Sequence, residues 1–544
     1  MRQACDLSGS FVRKVGSQRL VEGLYRAQAQ TGSASRSRLV HHGLASEARS
    51  TKFPVEFSSR PNPLKELLSG GNSRSDLLVC KVFTSRRRNS LLTMSLLLTL
   101  NSCAVYHPKP LTDDAVTREL RPRSLNELRV LATQINHPTL QAVRLDPGSG
   151  ITPTQAAVIA VLANPKLRAD RNRRGLAQAQ LIQAGILPNP SLSYNIDPVT
   201  GGNTHGTVTG YGVTASWEVT SLITRPAKVK AAKQNAESVS LDVAWDEWQT
   251  AEAARIAVYR LVALEEELAT AKQIQDSAQQ DAELLRNAVA AHNKTELDLA
   301  TAESSRVDAE STTQATAQEL EKQQLELRRS LGFPPDAKLT IRKGVTLPTR
   351  LSAPSQAALL DGLPQSRLDL LALQKGYQSQ EETLRAAILA QFPKISFGLS
   401  KASDTTNVHT AGVGVTIDIP VFDRNQGNIS IEKATRQKLF DEYTDRVFEA
   451  RADIATALAA IRSLNVQINT VESAVPIAQH LLDTAREAFQ QGNTDVMSFE
   501  QARREYDNKL LLLIKLKEQL VQAGSALEIA SGRITPALNR GENN

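Results

Sequence analysis

The chain has 544 residues, of which 41% are hydrophobic but only 4% aromatic, and it carries a net charge of +7. Residues 1–102 hold 16 Lys+Arg against 6 Asp+Glu, so the remainder sums to about −3 and a nucleic-acid-binding role loses its support. The three cysteines, Cys5, Cys80 and Cys103, leave no disulfide framework, and the scarcity of aromatics suits long helices better than compact globules.

Residues 1–81 are rich in Arg and Ser without sustained periodicity and read as a disordered or mis-started extension. A signal peptide follows over 82–102: Arg86-Arg87-Arg88, an apolar run from Leu91 to Leu100, then Asn101-Ser102. The run is too short to span a membrane as a helix. Leu100 and Ser102 fit a bacterial lipobox in which Cys103 becomes the lipidated first residue, with Asn101 an imperfect match; the other reading is a signal-peptidase site beside an incidental cysteine. Val82 fits a start from a non-AUG codon. Residues 103–150 form an N-terminal linker with one helix, capped by Ser124 and Glu127 and running to about Gln134.

Two units of the same order follow, 151–345 and 346–540. The first opens at Thr152, Pro153 and Gln155, a capping box with proline at the first helical position, and this helix is expected to reach about Ala184. Alternating segments then predict a hairpin, Ser191 to Val199 and Gly206 to Val219, turning at Gly201-Gly202-Asn203. A helix of about 65 residues, roughly 100 Å, is expected from Pro226 to Ala291, and after a break at His292-Asn293-Lys294 a shorter one runs to Gly332. A connection through Pro348 and Pro354 is expected to lie against the outside of the helical body. The second unit repeats the hairpin as Lys394 to Ala402 and Val408 to Pro420, a long helix from Asn428 to Gln491, a break at Gly492-Asn493-Thr494 and a helix to Gly532. Val447, Ile454, Ile461 and Ile468 recur every seventh residue, a coiled-coil seam.

The units align at one offset. Arg286-Asn287-Ala288-Val289 and Arg486-Glu487-Ala488-Phe489 are 200 residues apart, as are Leu331-Gly332 and Ser531-Gly532 and, in the strands, Trp217-Glu218-Val219 and Ile417-Asp418-Ile419, whereas Pro190 to Tyr194 matches Pro393 to Phe397 at 203, with a slightly different loop length. An offset held from strands through a long helix indicates an internal duplication. The hairpins then set a problem: four strands cannot close a barrel, and open edges are a liability in water and impossible in lipid. Their length suits a transmembrane barrel, so closure needs strands from other copies of the chain. The bland alternative is a soluble helical bundle with two decorative hairpins.

The order helix, hairpin, long helix, turn, helix, duplicated behind a lipoprotein-like signal, resembles the outer membrane factor family, the TolC-like efflux channels, over about residues 105–540. The residues that carry the resemblance are Asn164-Pro165-Lys166-Leu167-Arg168, Gly185 to Leu192 with Pro190, Arg367-Leu368-Asp369-Leu370, Phe392-Pro393, and Pro420-Val421-Phe422-Asp423-Arg424-Asn425-Gln426-Gly427. Phe422 to Gly427 looks like the form found in heavy-metal (CzcC-like) efflux channels, though an Asp-, Asn- and Gly-rich turn is also a good strand-to-helix junction. The resemblance implies a mainly α fold with membrane β: a long coiled-coil helical barrel, and four strands per protomer completing a 12-stranded trimeric barrel. It also implies a homotrimer in the outer membrane of a Gram-negative bacterium, reaching into the periplasm and working with a periplasmic adaptor (membrane fusion) protein and an inner-membrane RND-type pump.

No catalytic constellation, cofactor motif or metal-ligand set is legible. His41, His42, His107, His137, His205, His292, His409 and His480 are scattered, without HExxH or CxxC. The functional part of such a channel is its periplasmic tip, here Ala288 to Leu299 and Ala488 to Phe499, with Gly492 supplying flexibility in the second. Similar channels place a carboxylate ring just after the turn; here the matching positions are Ser498 and Gln501, with Asp495 and Glu500 nearby and Glu296 and Asp298 in the first unit. Arg286, Arg486, Arg503 and Arg504 are candidates for salt bridges that hold the tip closed. The expected function is the outer-membrane channel of a tripartite efflux system exporting divalent heavy-metal cations. The alternatives are a drug, solvent or polypeptide exporter channel of the same family and, in another class, a lipid-anchored periplasmic coiled-coil adaptor or scaffold.

Overall fold

The computed structural model describes residues 105–146 and 148–534, so the extension, the signal and Cys103 lie outside the described residues. The chain divides into two units, Met1–His107 and Pro108–Asn544. Of the first, residues 105–107 are described and have no regular structure. All that follows concerns the second.

Two short helices come first. α1 (Asp113–Leu120) is capped by Thr112 in a stretch of loop-like sequence, and α2 (Leu125–Thr133) starts where Ser124 Oγ accepts the Glu127 N–H at 3.2 Å. The helix expected from Pro153 to Ala184 is two: α3 (Pro153–Ala163) and α4 (Pro165–Gly185). The break is at Asn164, because a residue before proline is pushed out of the α region, and Asn164 has ψ 122°. Its carboxamide then starts α4 by accepting from Lys166 N at 2.8 Å, while its Nδ2 donates to Ser330 O at 2.9 Å.

Next come β1 (Ser191–Asp197) and β2 (Gly210–Glu218), shorter than the sequence pattern, with the intervening loop enlarged to 198–209. The long helix α5 (Ser221–Ala290) has 70 residues, or ~105 Å. It begins five residues before the expected start and so contains Pro226, which removes one backbone bond near its origin. α6 (Glu296–Ser330) follows.

The connection carries α7 (Gln356–Leu360) and α8 (Leu363–Ser366) before α9 (Leu368–Leu389). Then come β3 (Lys394–Ser403), β4 (His409–Asp418), α10 (Gln426–Gln490, 65 residues) and α11 (Val496–Ser531). α5 is packed by α3, α4, α6, α9 and α11, and α10 by α9 and α11.

The seam is buried: Ile454, Ile461 and Ile468 are in the core, with Val447 packed at its edge. Val345, Leu347 and Leu351 of the connection join them, and Asn465 fixes Leu351 through hydrogen bonds to its N–H (3.2 Å) and C=O (2.9 Å). The connection therefore inserts into the core of the helical body as well as covering it. A second core unites α2, α3, α5 and α6 around Leu128, Ile159, Val258 and Leu327.

The ends of α6 and α11 are built alike. Gly332 and Gly532 both have positive φ (70° and 69°), and a Cβ on either would strike the carbonyl of Ala163 or Ser366. Asn164 and Arg367 then cap the last carbonyls, through Ser330 O and Ala530 O.

Candidate functional site: a two-faced sheet and two clamped helical turns

The four strands form one antiparallel sheet in the order β1-β2-β3-β4. Registers Ser191↔Ser216, Ser216↔Gly398 and Gly398↔Gly414 put cross-strand partners in common rows, and partners in a row share a face. One face is mainly apolar, with Leu192, Tyr194 and Ile196 of β1, Tyr211, Val213, Ala215 and Trp217 of β2, Ile395, Phe397 and Leu399 of β3, and Ala411, Val413, Val415 and Ile417 of β4; at the end away from the helices it also carries Lys401, Ser403 and His409. The other carries Ser193, Asn195, Asp197, Gly212, Thr214, Glu218, Ser396, Ser400, Thr410, Thr416 and Asp418. In water such a sheet would turn its apolar side to a core, yet Leu192, Tyr194, Leu399, Val413 and Val415 are all exposed. Among the described residues neither outer edge, β1 or β4, has a strand partner.

The helical ends of the hairpins are fixed by side chains. Thr220 Oγ1 donates to Pro393 O (3.1 Å) and accepts from Ile395 N (2.6 Å), and Trp217 Nε1 donates to Pro188 O (2.8 Å) beside Pro190. After Pro420 the chain turns through Phe422, Asp423, Arg424, Asn425, Gln426 and Gly427. Asp423 Oδ1 accepts from Asn425 N (2.8 Å), Gln426 Oε1 from Arg424 N (2.7 Å), and Asn425, at φ 60°, donates Nδ2 to Ala387 O at 2.7 Å. This loop works as the start of α10, while Phe422 stays almost wholly exposed.

At the other end of the long helices the two turns have one design. In the first, Asn293 N donates to Ala288 O and His292 N to Val289 O; in the second, Asn493 N donates to Ala488 O and Gly492 N to Phe489 O. His292 takes φ 58° and Gly492 φ 75°, so the left-handed residue is present in both turns and is not a property of Gly492 alone. Thr295 and Asp495 cap the following helices.

The expected gate residues separate into distinct roles. Asp298 completes the cap on Thr295 (2.9 Å to its N–H), and Asp495 accepts from Ser498 N at 2.9 Å; the Ser498 side chain first, and then this N–H, hold the Asp495 carboxyl below the usual range. Glu296, Arg486, Gly492, Ser498 and Gln501 are exposed. Glu500 is fully buried, bonded to Arg503 at 2.9 Å, and its Oε1 has no hydrogen-bond partner. Arg503 reaches across to Asp281 of α5, whose carboxyl is raised by burial against the pull of Arg503 and Arg486. Arg286 pairs with Glu303 across α5 and α6, whereas Arg486 has only Asp483 on its own helix, at 3.7 Å.

Sequence reasoning missed the layer beside this pair. Lys294 Nζ lies 4.1 Å from the Phe489 ring centroid, Phe489 stacks on Phe499 at 5.4 Å with the rings 11° apart, and Arg503 lies 5.8 Å from Phe499. A cation, two rings and a second cation thus join both turns. Asp507, one helical turn beyond Arg503, is pushed up to about 6 by burial, eased by Arg503 and reinforced by Glu500. The only sequence signal was Phe at two spaced positions of one unit.

Elsewhere, Arg255 pairs with Glu252 (2.7 Å) and with Glu528, tying α5 to α11 deep in the helical body. His137 is held in place: its Nε2 donates to Ala244 O (3.0 Å), its Nδ1 accepts from Thr139 N and Leu140 N, and burial lowers its pKa. Among the described residues no group of three or more His, Cys, Asp or Glu is placed to hold a metal ion, and no helix is long and apolar enough to cross a membrane.

Residues 359–533 match the family described as Outer membrane efflux protein. The cation efflux system protein CusC of Escherichia coli (strain K12) is 31% identical over 172 residues, 30% of this chain and 36% of that protein. The cobalt-zinc-cadmium resistance protein CzcC of Cupriavidus metallidurans is 26% identical over 145 residues, 26% of this chain and 35% of that one. The chain thus aligns with about a third of the length of these relatives. The crystal structure of CusC superposes with a TM-score of 0.60 at 19% identity, covering 79% of this chain and 99% of that one. Residues 359–533 thus match the outer membrane efflux protein family, and the fold is shared with solved outer-membrane channels.

Proposed function

We propose that the chain is a lipid-anchored outer-membrane channel, the exit duct of a tripartite efflux system for heavy-metal cations, and carries out no reaction of its own. The observation that carries this reading is the sheet. A half-sheet apolar on one side, polar on the other and open at both edges is stable when copies of it close a barrel with lipid outside and water inside. Three copies give twelve strands, β4 of one beside β1 of the next. Helices of ~100 Å then reach far into the periplasm.

The recurrence of hairpin, long helix, left-handed turn and glycine-ended helix supports an internal duplication over 151–345 and 346–540. On this reading 82–102 is removed, Cys103 carries lipid and 103–150 is the linker. The partners are two further copies, a periplasmic adaptor and an RND-type pump in the inner membrane. The turns form the gate, held shut within each protomer by Arg503, Asp281 and the stacked phenylalanines. A wide conduit needs no resident metal ligands, so heavy metals are the cargo and the sequence likeness to CusC and CzcC points to that class.

Deleting the gene should raise sensitivity to zinc, cobalt, cadmium or copper, and the wild-type gene should restore tolerance. Unchanged metal tolerance with raised sensitivity to dyes or detergents would move the assignment to a drug or solvent exporter. The scaffold alternative has no use for a sheet with a lipid-like face.

A further inference from the structure

We infer that the apolar face of the sheet carries a binding site for the phosphate of an outer-leaflet lipid, centred on Lys401. This rests on the barrel reading above, because it requires that face to meet lipid. Among the described strand residues Lys401 is the only formally charged side chain on this face, and it is exposed. A lysine facing hydrocarbon is costly at mid-membrane and tolerated at the interface.

Its row fixes its height. Lys401 pairs with Ala411 of β4 and Val213 of β2, and Tyr194 of β1 completes the row. From Ile419 to Ala411 is eight steps, ~27 Å along the strand and about 20 Å along the axis of a barrel tilted by 45°. Lys401 therefore stands about 20 Å from the helical end of the sheet, near the far edge of an apolar band about 25 Å tall, where its stem lets the ammonium reach the outer headgroups. The next row is Tyr211, Ser403 and His409. Tyr211 and His409 are diagonal neighbours of Lys401, about 7–8 Å away and on its face. An ammonium, an imidazole and a phenol thus share one patch at the edge of the apolar band, with Ser403 buried between them. Asp404 in the adjoining turn is occupied by Thr406 N, Thr406 Oγ1 and Val408 N at 2.8–2.9 Å, which leaves it a weak competitor for the ammonium. A phosphate-bearing lipid offers that ammonium its charge partner without withdrawing its stem from the acyl chains.

The test uses the full-length purified chain, delipidated in detergent and titrated with radiolabelled bis-phosphorylated lipid A, with retained lipid as the readout. The expected result is saturable binding that weakens about tenfold or more with Lys401→Gln and is restored by Lys401→Arg. Dephosphorylated lipid A should bind the wild type no better than Lys401→Gln. Equal affinity of Lys401→Gln and wild type, or of the two lipids, would overturn the site; so would displacement of lipid A by millimolar inorganic phosphate alone. Whether the wild type is a trimer by native mass spectrometry is read separately. A trimer without the site refutes only this inference, and a monomer refutes the barrel on which it rests.

Discussion

Gly332 and Gly532 are where a single methyl should cost the most for its size. Each has positive φ and each abuts a backbone carbonyl, so strain and clash add. Gly532→Ala and Gly332→Ala should each lower stability by about 1–3 kcal/mol in thermal unfolding, against almost nothing for Gly427→Ala, which has open space. Asp507 is a different kind of weak point. Its folded pKa of about 6 lies above the ordinary 3.8, so the native state holds a proton that the unfolded chain has released. Its contribution to stability is full below about pH 4 and is lost as pH rises through about 6. Hydrogen exchange at the tips of α5 and α11, corrected for intrinsic rate, should be faster at pH 7.5 than at pH 5, and Asp507→Asn should remove that difference. An unchanged difference in the variant would assign it to another group, Asp281 first.

At the scale of elements, the two helical hairpins are held to each other by a few side chains at their turns. A double-mutant cycle between Lys294→Ala and Phe489→Ala should give a coupling of about 0.5–1 kcal/mol, whereas Lys294 against Phe448 should give none. Buried Arg503 ties two helices through the half-buried Asp281 carboxylate, whereas the Arg486 ion pair stays on its own helix, so Arg503→Ala should raise the conductance of the isolated channel more than Arg486→Ala does. Equal effects would mean that the closed tip depends on charge density and not on this pair. Periodicity made most elements legible: the seam at Ile454, Ile461 and Ile468, both hairpins and both long helices stand where the pattern put them within a few residues. The break at Asn164 was overlooked although Pro165 announces it. The clamp could not be read, because Lys294, Phe489 and Arg503 meet only through tertiary packing, and a buried Glu500 looks in sequence like any carboxylate on a helix.

The whole molecule turns on a conflict that one copy cannot resolve. An apolar face at Leu399, Val413 and Val415 lies open, and the edges of β1 and β4 present unpaired backbone. The segregation of the faces was implicit in alternation along each strand, but the register that stacks Leu192, Ala215, Leu399 and Val413 in one row required the sheet. The conflict disappears if copies join edge to edge in a membrane. The most direct test is to solubilise the chain from outer membranes in mild detergent, establish its stoichiometry by native mass spectrometry and record its current in a planar bilayer. A trimer that opens steps of ion current, with larger steps after Arg503→Ala, is the expected result. A water-soluble monomer, or a trimer that passes no ions in any tip variant, would contradict the channel.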